Sequence, residues 1–84
     1  MPSVLDIVSS MKQNSRNIRY GDLLKVCTYY FGEPRITGGS HAVFKTPWTG
    51  EPRINTQNSS GFAKPYQVIQ VLKAISLLEK INGE

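Results

Sequence analysis

Apolar residues near the start of the chain recur at helical intervals. Val4, Ile7, Val8 and Met11 share one side of a helix predicted over about residues 3–12. Ser3 and Asp6 form an S-x-x-D pattern around its start, which suits an N-cap hydroxyl and a first-turn acid. A polar run at residues 12–17 ends it. A second stripe follows at Tyr20, Leu23, Leu24, Cys27 and Phe31, predicting a helix over about residues 20–31. Gly32 fits the position that terminates such a helix. Tyr20, Phe31 and, further on, Phe44 read as core aromatics, and Cys27 as a small buried hydrophobe.

The period then shortens to two. Strands are predicted over residues 34–37, 41–46 and 53–57, separated by turns at 38–40 and 47–52. Short turns between successive strands imply an antiparallel meander. Alternation puts His41, Val43 and Lys45 on one face and Ala42, Phe44 and Thr46 on the other. With Phe44 turned to the core, His41 and Lys45 point outward together. Residues 58–61 read as a loop. Pro65 suits the first position of a last helix, where its missing N–H would have no partner in any case. Val68, Leu72, Ile75, Leu78 and Ile81 form that helix's stripe, widened by Ile69 and Val71. The order is α-α-β-β-β-α, an α+β two-layer sandwich with helices on one face of the sheet. The opposite face is left for water or a partner.

Length and composition narrow the functions. Eighty-four residues predict a single domain spanning 1–84. One Cys excludes an intramolecular disulfide framework and a Cys-based zinc cluster, and one His excludes a multi-histidine metal site. No stretch approaches the ~20 apolar residues of a membrane span. The start of the chain carries Asp6 and no basic region ahead of its apolar residues, unlike a secretory signal, so a reducing cytoplasm is expected, without a membrane partner. The net charge of +4 fits an acidic partner. Arg35, Lys45, Arg53, Lys64 and Lys73 outnumber Glu33 and Glu51, which places the basic excess around the strands and their loops.

The candidate chemistry lies at Gly38-Gly39-Ser40-His41. Two glycines allow positive φ and close approach to a ligand, and successive N–H groups in such a turn can cradle an anion. Ser40 adds a hydroxyl. An imidazole beside a phosphate-sized pocket could remove the 2′-OH proton of RNA, and the alkoxide would attack the adjacent phosphorus. That route needs no metal or cofactor, because RNA carries its own nucleophile. The same residues also make a good hairpin turn followed by a surface histidine, so spacing alone leaves both readings open. Lys45, on the face of His41, could hold phosphate or simply be solvated. Trp48 could stack on an unpaired base or cover one end of the core, and the second is preferred. Phe62 and Tyr66 could pack or stack. Nucleophile-elbow, P-loop and H-E-x-x-H patterns are absent from the sequence.

Gly39-Ser40-His41 followed by Ala42-Val43-Phe44-Lys45, set between the segments Tyr20-Gly21-Asp22-Leu23-Leu24-Lys25 and Pro65-Tyr66-Gln67-Val68-Ile69-Gln70-Val71-Leu72, resembles the HicA family. These are bacterial toxins, mRNA interferases of type II toxin–antitoxin systems. The resemblance covers residues 17–81 and leaves 1–16 as an N-terminal helical extension that packs on the domain or meets the antitoxin. It implies a fold similar to a double-stranded-RNA-binding domain, with two helices on one face of a three-stranded sheet. On the residues themselves, Gly39 and Ser40 are expected to orient the scissile phosphate, with Lys45 and Arg35, and more remotely Lys64, as phosphate contacts; the resemblance implies RNA cleavage with His41 catalytic. It also implies a HicB-like antitoxin that masks the histidine and contacts operon DNA, so that DNA is met only through that partner. Residues 47–52 and 58–64 are longer than in compact members, and 59–64 lack the usual proline-histidine pattern. The alternatives are an RNA-binding module that does not cut, or an inert antitoxin-binding subunit.

Overall fold

The computed structural model describes residues 3–37, 41–50 and 52–83. Three helices, α1 (Val4–Gln13), α2 (Tyr20–Phe31) and α3 (Pro65–Gly83), accompany four strands. The strands are β1 (Arg35–Thr37), β2 (His41–Phe44), β3 (Ile54–Ser59) and β4 (Phe62–Ala63). They form one antiparallel sheet in the order β1-β2-β3-β4. The class is α+β, as the hydrophobic pattern predicts.

Local chemistry explains the ends of the helices. Ser3 and Asp6 make a reciprocal capping box on α1: Asp6 N–H donates to Ser3 Oγ at 3.2 Å, and Ser3 N–H donates to Asp6 Oδ2 at 3.4 Å. Ile7, Val8 and Met11 of this helix are buried, and α1 packs on both α2 and α3. The N-terminal helix is thus part of the core. Gly32 closes α2 at φ +87°, a conformation open to glycine. Lys64 is the residue before α3, its carbonyl accepting from Gln67 and Val68 N–H, with Pro65 at the first helical position.

The core joins Leu23, Val26 and Cys27 of α2 to Ala42, Phe44 and Ile54 of the sheet and to Val68, Val71, Ala74 and Ile75 of α3. Cys27 is buried as expected, and burial pushes its thiol up to about 12. Phe44 is buried, whereas Tyr20 and Phe31 are only half-buried. Phe31 packs against the core and meets Trp48 edge-on, with centroids 6.2 Å apart. Trp48 therefore covers one end of the core, as preferred from the sequence.

Three expectations need correction. The sheet has a fourth strand. Residues 58–61 are not a simple loop: β3 runs to Ser59, and Ser60 and Gly61 take φ +54° and +90°. Positive φ at both central residues of a two-residue loop is the type I′ geometry that suits strand twist, so Phe62 returns opposite Ser59. The second strand ends at Phe44, before Lys45 and Thr46. There the 46–52 loop folds on itself. Thr46 Oγ1 donates to Trp48 O at 3.3 Å, Trp48 Nε1 donates to Pro52 O at 2.8 Å, and Pro47 has no N–H for a ladder. Finally, the buried face of α3 is rotated. Gln67 and Ala74 lie inside with Val68, Val71 and Ile75, Leu72 and Leu78 are half-buried, and Ile69 and Ile81 are exposed. α3 packs over β3 and against α1.

Candidate active site

Register settles which side chains share the face away from the helices. In an antiparallel pair, residues directly opposite point to the same side. Ala42 pairs with Thr56 and Phe44 with Ile54, and all four are buried. Their alternates therefore turn outward in two rows, Thr37–His41–Gln57 and Arg35–Val43–Asn55. His41 is half-buried at the first position of β2, between two strands. A hydroxyl bridge steadies the strand beneath it. Thr56 Oγ1 donates to Ala42 O at 3.2 Å, which commits its single hydrogen, so Tyr20 Oη donates to Thr56 Oγ1 at 3.2 Å. This ties α2 to the backbone next to His41.

The side of β3 away from β2 is closed by the start of α3. Gln67, buried and polar, accepts the backbone N–H of Gln57 on its Oε1 at 3.1 Å, and its Nε2 donates to Tyr66 Oη at 3.4 Å. Lys64 Nζ donates to Gln57 Oε1 at 3.2 Å. Gln57, the direct neighbour of His41 across the ladder, is thus held at both backbone and side chain from the segment that opens α3.

These elements enclose an open depression of about 740 Å³. His41 and Lys45 line it from β2 and the residue after it, and Arg53, Asn55 and Gln57 from β3 and its approach. Tyr66 and Gln70, one turn apart on α3, form another part of its wall. The described lining residues include Lys45 and Arg53 and no carboxylate, so the potential there favours an anion. Imidazole, ammonium and guanidinium around a polar hollow can accept a proton, hold phosphate oxygens and offset developing negative charge.

The predicted site residues separate accordingly. His41 and Lys45 come together. Lys64 is half-buried and reaches the group beside His41 through Gln57. Arg35 is exposed on β1, in the outward row with Val43, and does not line the depression. Gly39 and Ser40 lie outside the described residues. Arg53 enters the sequence reading of candidate chemistry only as part of the basic excess, and Asn55 and Gln57 not at all, although the alternation Arg53-Ile54-Asn55-Thr56-Gln57 carries the same signal as β2. Tyr66 and Gln70 depend on how α3 crosses the sheet, which no local pattern reports. Phe62 instead carries the Arg19 guanidinium 5.6 Å from its ring centre.

Among the described residues, no group of three or more His, Cys, Asp and Glu side chains could hold a metal ion. Among them, too, no helix is long and apolar enough to cross a membrane. No family model matches this chain, and neither a curated protein nor a solved structure matches it.

Proposed function

We propose that this chain is a ribonuclease toxin of the HicA type, acting on mRNA in the cytoplasm. The observation that carries the reading is the position of His41. It stands at the start of a strand, in a hollow whose described lining includes Lys45 and Arg53 and no carboxylate, and its cross-strand neighbour is held by Lys64. The arrangement of α2, α3 and the first three strands is read as similar to a double-stranded-RNA-binding domain, with α1 and β4 as additions.

In this mechanism the His41 imidazole takes the proton of the ribose 2′-OH. The 2′-oxygen attacks the adjacent phosphorus, the bond to the 5′-oxygen breaks, and a 2′,3′-cyclic phosphate and a 5′-hydroxyl result. The leaving oxygen takes its proton from the imidazolium, a lysine or water. Lys45 and Arg53 offset charge on the pentavalent phosphorane, while Arg35 engages phosphate farther along the strand. Lys64 keeps Gln57 and, through it, the flank of His41 in place. Gly39 and Ser40, by their backbone N–H groups and hydroxyl, orient the scissile phosphate, and the resemblance adds a HicB-like antitoxin covering the histidine.

The test is incubation of purified protein with single-stranded RNA in EDTA. Cleavage to cyclic-phosphate ends is expected. His41→Gln should lower the rate by about 10²–10⁴, the usual worth of a general base, while keeping the wild-type melting curve. A His41→Gln protein that cuts as fast as wild type would sink the mechanism. Binding without cleavage by the wild-type chain would assign it to RNA-binding modules instead.

A further inference from the structure

Beyond the hollow at His41, α3 borders a second depression of about 680 Å³, lined by Pro52, Ile69, Lys73 and Leu77 together with Tyr66 and Gln70. Tyr66 and Gln70 belong to both. They form a low ridge on α3, with the polar hollow on one side and a more apolar one on the other. Tyr66 is 61% exposed and Ile69 46%, so both present apolar surface on the side of α3 away from the core. Lys73 is the cation among the described residues that line this second depression.

We infer that this second depression is a subsite for the unpaired nucleotide adjoining the scissile phosphate, its base stacked on Tyr66 and its phosphate met by Lys73. The inference rests on the ribonuclease reading and deepens it by naming a flanking, single-stranded element of the substrate. Three observations converge. The depression shares Tyr66 and Gln70 with the hollow at His41, so a chain that leaves its scissile phosphate there towards α3 passes over Tyr66. An exposed tyrosine beside apolar Pro52, Ile69 and Leu77 offers a base an aromatic face and a dry edge, the combination used where single strands are bound without a fixed sequence. Lys73 supplies one positive charge one to two helical turns beyond Tyr66 and Gln70, where the next backbone phosphate needs it. A duplex end could not use this ridge, because its bases are already stacked and paired.

The experiment compares a two-nucleotide RNA containing one scissile linkage with the same RNA carrying one further nucleotide, added at the 5′ or the 3′ side in turn. For the wild-type chain, extension on one side should raise kcat/KM by about tenfold or more, the scale of one stacked base. In Tyr66→Ala that ratio should fall close to one. Lys73→Gln should lower it in part and weaken its salt dependence, and Tyr66→Trp should restore it. An extension advantage that persists in Tyr66→Ala overturns the subsite and leaves the ribonuclease reading standing. Binding of a 2′-deoxy trinucleotide, read by fluorescence anisotropy, separates the two claims. If wild type binds it about tenfold tighter than Tyr66→Ala but never cleaves RNA, the subsite stands and the ribonuclease reading falls. A wild-type dimer in sedimentation that Tyr66→Ala dissociates, with oligonucleotide binding unchanged, gives the groove to a second copy and overturns the inference.

Discussion

Gln67 Oε1 accepts the backbone N–H of Gln57 at 3.1 Å, so a side chain of α3 stands where a neighbouring strand would otherwise pair. β4 is too short to do this. Along β3 it pairs only with Asn58 and Ser59, and leaves the N–H of Gln57 to the helix. This single contact gives a reason for a glutamine in the core and fixes the distance between β3 and α3, the two walls of the hollow. Replacing Gln67 by Leu keeps the bulk and removes the acceptor. A buried donor left unpaired costs about 1–3 kcal/mol. Urea unfolding should show that loss at an unchanged m-value, and amide exchange at Gln57 should accelerate more than at Ala42. Equal exchange at both positions would mean that the bond does not hold the edge.

The thiol of Cys27 sets a pH dependence with a definite sign. Burial raises its pKa from 9.0 to about 12. Between those values the unfolded chain loses the proton and the folded chain keeps it, so stability is complete below pH 9 and declines as pH rises towards 12. The slope from this one group is at most about 1.4 kcal/mol per pH unit. Cys27→Ala should be less stable at pH 7 through a small cavity, yet the gap to wild type should narrow steadily above pH 9 in paired urea titrations. The same burial should keep the native thiol from a disulfide-exchange reagent until the chain unfolds. A gap that is constant with pH would mean the thiol is more exposed than its surroundings suggest.

Ser60 and Gly61 form the turn that the pattern of apolar residues did not report. A Cβ on Gly61 would meet nothing within 4 Å, so the cost of Gly61→Ala arises from its φ of +90° alone. That cost is about 1–2 kcal/mol. Ser60→Asn should slightly stabilise the chain, because asparagine tolerates the left-handed conformation and Asn-Gly is the favoured type I′ pair. Thermal melts of the two variants should move in opposite directions. A shift of the same sign in both would refute the assigned turn.

Lys45 and Arg53 should govern affinity for RNA in a way that salt reveals. Each cation that meets a phosphate displaces a counterion, and for single strands the slope of log K against log salt is about 0.7 per contact. Lys45→Gln and Arg53→Gln are each expected to weaken binding and to reduce that slope by somewhat less than one. Arg35→Gln, away from the hollow, should have the smaller effect. An Arg35 variant that loses more than the Lys45 variant would place the RNA across β1 instead.

Features settled within a few residues were legible in the sequence. The capping box at Ser3, Gly32 at the end of α2, Pro65 at the start of α3 and the outward pairing of His41 with Lys45 follow from local stereochemistry, and each is observed. What escaped depends on contacts between segments. Ile69 and Ile81 look like core by type, but α3 turns Gln67 and Ala74 inward because its register is set by β3 and α1. β4 has two residues, too few for any period to show. The α3 wall of the hollow, Tyr66 and Gln70, exists only once the helix lies across the sheet. Arg53 and Gln57 could have been found by extending the β2 alternation across the second hairpin.

β4 also binds the chain to itself at long range. Ala63 N–H donates to Ile18 O at 2.8 Å and Tyr20 N–H to Gly61 O at 3.0 Å, so the entrance of α2 is capped by a strand from about half the chain's 84 residues away. Both ends of the sheet segment must meet before α2 gains its cap or α3 its anchor. Helical domains of this size fold quickly because their contacts are local, and this clasp raises the contact order of a largely helical core. Assembly of the hollow at His41 therefore depends on closure of a long loop, which is expected to slow folding relative to a helical domain of the same length.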